Sequence, residues 1–219
     1  MKALKLIAVI VGAIILIALA TATYFGIFSP VVIQEEQLAP QTILVFRHVG
    51  PYSTLGPKIK ELYKDLEDSC GIVPLSTIGI YYDNPQTTDQ AELRSFYGVP
   101  LNAEELFTVR SFDLPYETIA LPPMKAYVAT FPYKGMGSLF VAIAKVYPKL
   151  AQYCTDHGFT INSPTLEITD IKAQTIKMIV PTTLTKAVFS QWWNPTPEAS
   201  VDSVVDSRII TADSSSNNE

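Results

Sequence analysis

The sequence predicts an α+β protein made of duplicated β-α-β-β units related by a pseudo-two-fold and preceded by one transmembrane helix. Three observations carry that prediction. An apolar run, uncharged from Leu6 onward, fills most of the first 28 residues. Between Thr42 and Leu101 a strand, a helix and two further strands can be read in order. The same order returns between Met124 and Thr185.

The first element is the run "LIAVIVGAIILIALATA", Leu6 to Ala22, extended by "TYFGIF" to Phe28. About 20 apolar residues at about 1.5 Å each span a bilayer core, and Tyr24 and Phe25 would sit at the far interface. A cleaved signal peptide is the competing reading, with Lys2 and Lys5 as its basic end and Ala18-Leu19-Ala20 as a small-x-small site. The apolar run continues past that site and exceeds the roughly 7 to 15 residues of a signal core, which favours an uncleaved single-pass anchor over residues 1–28. The side of the membrane on which the rest lies stays open, because two lysines bias orientation weakly. Residues 29–41 read as a linker.

Repeat one covers 42–101. "TILVFRHVGPY" is a β-branched, apolar strand stopped at Gly50-Pro51. A helix follows to Gly71, with Ile59, Leu62, Tyr63 and Leu66 at helical spacing, Pro57 in its first turn and Gly71 as its C-terminal stop. "STIGIYYDNP" is the next strand, running into a turn, and "ELRSFYGVPL" closes the unit. Residues 102–123, with "LPYET" and "LPPM", read as a surface loop without regular structure. Repeat two covers 124–185: "KAYVATFPY" is a strand, a helix runs to Gly158 with Pro148 as a kink or break, and "SPTLEITD" and "TIKMIVPTTL" are strands. The folded domain is expected over 42–197, and 198–219 reads as a disordered, acidic, serine-rich tail whose partner the residues do not name; Ile209 and Ile210 are its candidate binding segment.

Composition narrows the function. A net charge of -5, with no cluster of lysine or arginine beyond the first residues, offers no footprint for nucleic acid. Cys70 and Cys154 lack metal-site spacing, and no nucleophile-elbow, zinc-protease, phosphate-loop or dinucleotide pattern occurs, so neither a metal nor a cofactor is expected. His48 and His157 have no partner in sequence and read as structural.

The duplicated order, "HVGPY" after the first strand, "YYDNP" at Tyr81 to Pro85, "ATFPY" at Ala129 to Tyr133 and "LEI" at Leu166 to Ile168 together resemble the GyrI-like small-molecule-binding domain. The resemblance covers Thr42 to Leu184. It implies two antiparallel sheets joined at a pseudo-two-fold, with a groove for flat or amphipathic organic molecules. It also implies a groove glutamate in the context of Glu167 and aromatic walls. Some relatives act as ligand-sensing domains of transcription regulators, and a subset hydrolyses strained, cyclopropane-containing toxins with that glutamate.

The residues support a site independently. Alternation in "LEI" puts Glu167 on the face opposite Leu166 and Ile168. In a cleft it would attract a cation or act as a general acid or base; on an open face it is an ordinary strand glutamate. Tyr81 and Tyr82 point to opposite faces, one toward the cleft and one into packing, and Asp83-Asn84-Pro85 reads as a turn. Phe131 and Tyr133 flank Pro132 where Tyr52 follows Gly50-Pro51 in the first repeat, so all three are rim candidates or core edge. Trp192 and Trp193 either lid a pocket or pin the chain end. Three functions remain: a membrane-anchored binder of a small amphipathic or cationic molecule, a hydrolase of strained or electrophilic rings using Glu167, or a membrane-tethered platform for other proteins.

Overall fold

In strand β2 (Gln41–Val49), Ile43 and Val45 face one side while Leu44 and Phe46 face the other, and all four are buried. A strand buried on both faces belongs inside a sheet covered on both sides. The computed structural model describes residues 2–194 and shows that sheet, with eight antiparallel strands and helices against it. The tail 198–219 and the last residues of the expected 42–197 domain lie outside the described residues.

Chain order is α1 (Lys2–Tyr24), β1 (Val32–Leu38), β2, α2 (Gly56–Cys70), β3 (Ser76–Tyr81), β4 (Arg94–Leu101), α3 (Ala103–Arg110), β5 (Glu117–Leu121), β6 (Met124–Pro132), α4 (Met136–Asp156), β7 (Thr165–Asp170), β8 (Thr175–Pro181) and α5 (Lys186–Trp193). Across the sheet the order is β1-β6-β8-β7-β3-β4-β2-β5. The half β6-β8-β7 is matched by the half β2-β4-β3, so the duplication is visible as a pseudo-two-fold at the β7–β3 seam. That seam is hydrogen-bonded from Ser76↔Asp170 to Tyr81↔Thr165, which fuses the two expected sheets into one.

Two further expectations are corrected. Residues 29–41 are not a linker throughout, because Val32–Leu38 forms β1 and pairs with β6 of the other repeat. Residues 102–123 are not an irregular loop, because they contain α3 and β5, and β5 pairs with β2. Each repeat is therefore preceded by a strand that crosses to the outer edge of its partner. The signal for α3 was present: the Asn102 side chain accepts from the Glu105 backbone N–H and Glu105 answers with the reverse bond, a capping box. The strand β1 was masked by its own composition, since "VIQEEQL" is half exposed and an edge strand carries charge.

Three apolar clusters hold the fold. On one face Leu62 and Leu66 of α2 pack on Leu44, Phe46, Val99 and Leu101. Beside them α4 packs Ala142, Val146 and Leu150 on Ala129, Phe131, Ile176 and Met178. The helix α4 runs unbroken through Pro148. The opposite face is covered by α5, whose Phe189 sits among Ile78, Ile80, Phe96 and Leu166. Trp192 and Trp193 pin this end, with their carbonyls accepting from Arg47 Nη2 at 3.0 Å and Nη1 at 2.6 Å. The Arg47 guanidinium also pairs with Glu117.

The turn after β3 divides two roles. Asn84 Oδ1 accepts from the Gln86 N–H and closes the turn. Asp83 instead takes three bonds from Arg94: its backbone N–H at 2.9 Å, Nε at 2.9 Å and Nη2 at 2.8 Å. The bond to the Arg94 side chain holds the Asp83 carboxyl below the ordinary aspartate range. This stability is present above the aspartate's unfolded pKa and is lost as pH falls through its lower folded one. Asp83→Asn should cost about 2 kcal/mol in urea unfolding at neutral pH, and the gap to the parent should close in acid.

Candidate functional site

The site begins with a row of residues paired across the sheet on the α2/α4 face: Phe46↔Tyr97, Tyr97↔Gly79, Gly79↔Glu167 and Glu167↔Met178. At the seam one repeat contributes the acid and the other, at its register partner, a glycine. With no side chain on Gly79, the Tyr81 ring folds back over it, so that a Cβ at Gly79 would lie 2.8 Å from Tyr81 Cε2 and Oη. Tyr81 thereby reaches the carboxylate. The row crosses β3 and β7, the part of the sheet that lies between the strands covered by α2 and those covered by α4.

Glu167 is half-buried, and its Oε1 accepts from the Tyr147 hydroxyl of α4 at 2.6 Å, with the Tyr81 phenol beside it. Burial pushes its carboxyl above the usual glutamate range, partly offset by the neighbouring phenols of Tyr147 and Tyr81. Burial and the neighbouring Glu167 charge push both phenols well above the ordinary tyrosine range, so they stay protonated donors. Among the described residues no lysine, arginine or histidine pairs with Glu167.

Further phenols pack near this row. Tyr97 of the row and Tyr63 of α2 pack together on the α2 cluster, and Tyr133 packs on the α4 cluster. Tyr52 stands edge-on to Tyr81 at 4.9 Å between centroids, and its hydroxyl donates to the Asp83 carbonyl at 2.8 Å. That bond makes Tyr52 a buttress for Tyr81, and burial lifts its pKa to about 12.

The structure brings Glu167, Tyr81 and Tyr52 together, while Tyr133 packs on the α4 cluster. It does not bring Tyr82 or Phe131 there. Tyr82 lies on the opposite face, its hydroxyl donating to the Phe189 carbonyl at 2.7 Å and its ring against Trp193 and Phe96. It is the tyrosine that packs. Phe131 is 1% exposed beneath α4, in the core and away from the rim. Sequence reasoning missed Tyr147, Tyr97 and Tyr63 as groove residues. Tyr63 had a visible place on the helical stripe, whereas Tyr147, twenty residues before Glu167, had none. His48 is buried, with Nε2 near the Pro51 carbonyl and the Thr54 hydroxyl, as a structural histidine would be.

Gly79→Ala should displace the Tyr81 ring while leaving the backbone in place. The expected stability loss is about 1 to 2 kcal/mol, because the clash is with the far end of a side chain. Intrinsic fluorescence should report a changed tyrosine environment at unchanged far-ultraviolet dichroism.

A pseudo-symmetric eight-stranded sheet with helices on both faces, carrying a carboxylate beside phenols at its seam, defines the class: an α+β domain of duplicated units. The chain belongs to the GyrI-like family, whose small molecule binding domain matches residues 32–183. Testis-expressed protein 264 homolog of Mus musculus is 30% identical over 160 residues, covering 68% of this chain and 48% of the relative. Testis-expressed protein 264 of Homo sapiens is 29% identical over 164 residues, covering 71% and 50%. This chain thus spans about half the length of the curated relatives it matches. Among solved structures, the EcmrR C-terminal domain superposes with a TM-score of 0.50 at 10% identity, covering 69% of this chain and 96% of that one. EcmrR in a complex with DNA gives 0.51 at 10% identity, covering 82% and 67%. These two similarities establish the fold.

Proposed function

We propose that this protein is a membrane-anchored receptor for a small amphipathic cation, held in the inter-repeat groove against Glu167 and the rings of Tyr81, Tyr147, Tyr97 and Tyr63. The single observation that carries the reading is the lack of a basic partner for a half-buried carboxylate walled by aromatic rings. A lipophilic cation would supply the missing countercharge, and phenol faces attract cations in addition to stacking on flat groups. Anchoring is supported by α1, whose 23 residues form one helix long and apolar enough to cross a membrane, although a signal sequence passes the same test. The DNA complex of EcmrR concerns that protein; the acidic balance of this chain argues against the same partner here.

The test is titration of the full chain, in detergent, with rhodamine 6G. Saturable binding that weakens in acid supports the proposal, and absence of saturable binding by any lipophilic cation of a small panel overturns it. A second reading, hydrolysis of strained rings, is favoured by the close Tyr147–Glu167 pair, in which burial raises the carboxyl above the usual glutamate range. Turnover of a cyclopropane substrate that is lost in Glu167→Gln would establish it.

A further inference from the structure

Strand β7 lies fourth of eight in the sheet, yet one of its faces is partly open. Leu166 is 1% exposed and packs with Ile168 in the cluster covered by α5. Thr165, Glu167 and Thr169 alternate with them and share the opposite face, where Tyr147 of α4 reaches the carboxylate. All three are half-buried. The opening follows from where the helices pack: α2 lies on residues of β2 and β4, and α4 on residues of β6 and β8, to either side of the β7–β3 seam. The β3 side of that seam is filled, since Thr77 is 5% exposed and the Tyr81 ring covers Gly79. The accessible floor is therefore β7.

That floor is polar at each of its three positions. Valine or isoleucine would suit a strand equally well, and would suit an alkyl-clad ligand better. A threonine hydroxyl pressed against an alkyl group loses its water and gains no partner, which costs affinity. Positions on one face of a strand repeat every two residues, so the Thr165 and Thr169 Cα atoms stand about 7 Å to either side of that of Glu167. Each end is backed by a second hydroxyl across the seam: Thr165 pairs with Tyr81, and Thr169 with Thr77. Hydroxyls both donate and accept. The strand thus presents an acid at the middle of a straight line and a hydrogen-bonding pair at each end of it.

We propose that Thr165 and Thr169 set the specificity of this site, selecting an elongated cation with its charge near the middle and a hydrogen-bonding group, such as a secondary amine or a hydroxyl, at each end. This rests on the cation reading above. It goes beyond that reading by disfavouring cations clothed entirely in alkyl or phenyl groups.

The experiment titrates the full chain, in detergent, with two xanthene dyes of equal charge. Rhodamine 6G keeps an N–H on the nitrogen at each end of its three-ring plane, whereas the end nitrogens of tetramethylrhodamine ethyl ester are fully alkylated. The parent should bind rhodamine 6G about tenfold more tightly, the effect of two neutral hydrogen bonds at partly solvated positions. Thr165→Val with Thr169→Val keeps the β-branched shape and should bring the ratio of the two affinities to within about twofold of one. Thr160→Val, in the exposed loop after α4, should leave the ratio unchanged. Should the double variant lose its far-ultraviolet dichroism, single variants decide: Thr169→Val should lower the ratio about threefold, and Thr169→Ser, which retains a hydroxyl, should preserve it. Equal binding of both dyes by the parent, a preference that survives in the double variant, or a Ser variant that loses as much as Val overturns this proposal and leaves the cation reading standing. Saturable binding confined to alkyl- or phenyl-clad cations does the same. If no cation of the panel binds saturably, both readings fall together.

Discussion

Glu167→Gln should bind rhodamine 6G about 30-fold more weakly than the parent at neutral pH, a loss of roughly 2 kcal/mol, as expected when one member of a partly desolvated charge pair is removed. The substitution keeps shape and the capacity to accept from Tyr147 and Tyr81, so only the charge is lost. Binding by the parent should weaken as pH falls through the carboxyl pKa of Glu167, which burial places above the usual 4.5. A cation selects the deprotonated form, so bound dye should shift that midpoint downward. Stability runs in the opposite direction. Because the folded pKa is raised, the contribution of this group to stability is fully present below its unfolded value and is lost as pH rises through the folded one. The Gln variant should therefore be no less stable than the parent at neutral pH, and its unfolding should lack that pH-dependent decline. Equal dye affinity in the two proteins would remove the carboxylate from the site.

Gly98→Ala should unfold or severely destabilise the domain. Gly98 of β4 pairs with Val45 of β2, and a Cβ there would stand 1.8 Å from the Leu44 carbonyl oxygen and 2.7 Å from the Val45 Cα. Unlike the Gly79 case, the obstacles are backbone atoms of a strand buried on both faces, which cannot swing aside. A cost of about 3 kcal/mol or more is expected, at the upper end for overpacking, and urea unfolding monitored by dichroism would measure it. A stability within about 0.5 kcal/mol of the parent would mean that β2 and β4 are less closely apposed than the structure shows.

The two glycines illustrate why the site was only partly legible. "TIGIYYD" shows a glycine in a strand, but not that the missing side chain makes room for Tyr81 two residues later, on the same face. "LEI" shows that Glu167 opposes its apolar neighbours, because strand alternation is a local rule. Which face would be the groove depended on where α2 and α4 settle. Tyr81 and Tyr82 were separable in the same way: alternation divided them, and only packing revealed that Tyr82 belongs with Trp193 and Phe189. Phe131 looked like a rim residue by analogy with Tyr52 across the repeats, yet α4 covers it. Tyr147 is invisible locally, since a tyrosine on an amphipathic helix carries no mark of the strand residue it will meet.

Taken by itself, the order of residues determined the apolar helix at the start, the doubled strand–helix–strand–strand plan and the acid set against its neighbours, because all three depend on periodicities of a few residues. Tertiary structure decided the rest. The crossing strands β1 and β5, the single continuous sheet, the phenols around Glu167 and the attachment of α1 to α4 through Lys145 join residues from 20 to 119 positions apart. Contacts at that separation come from how faces pack, and no local rule of side-chain spacing encodes them.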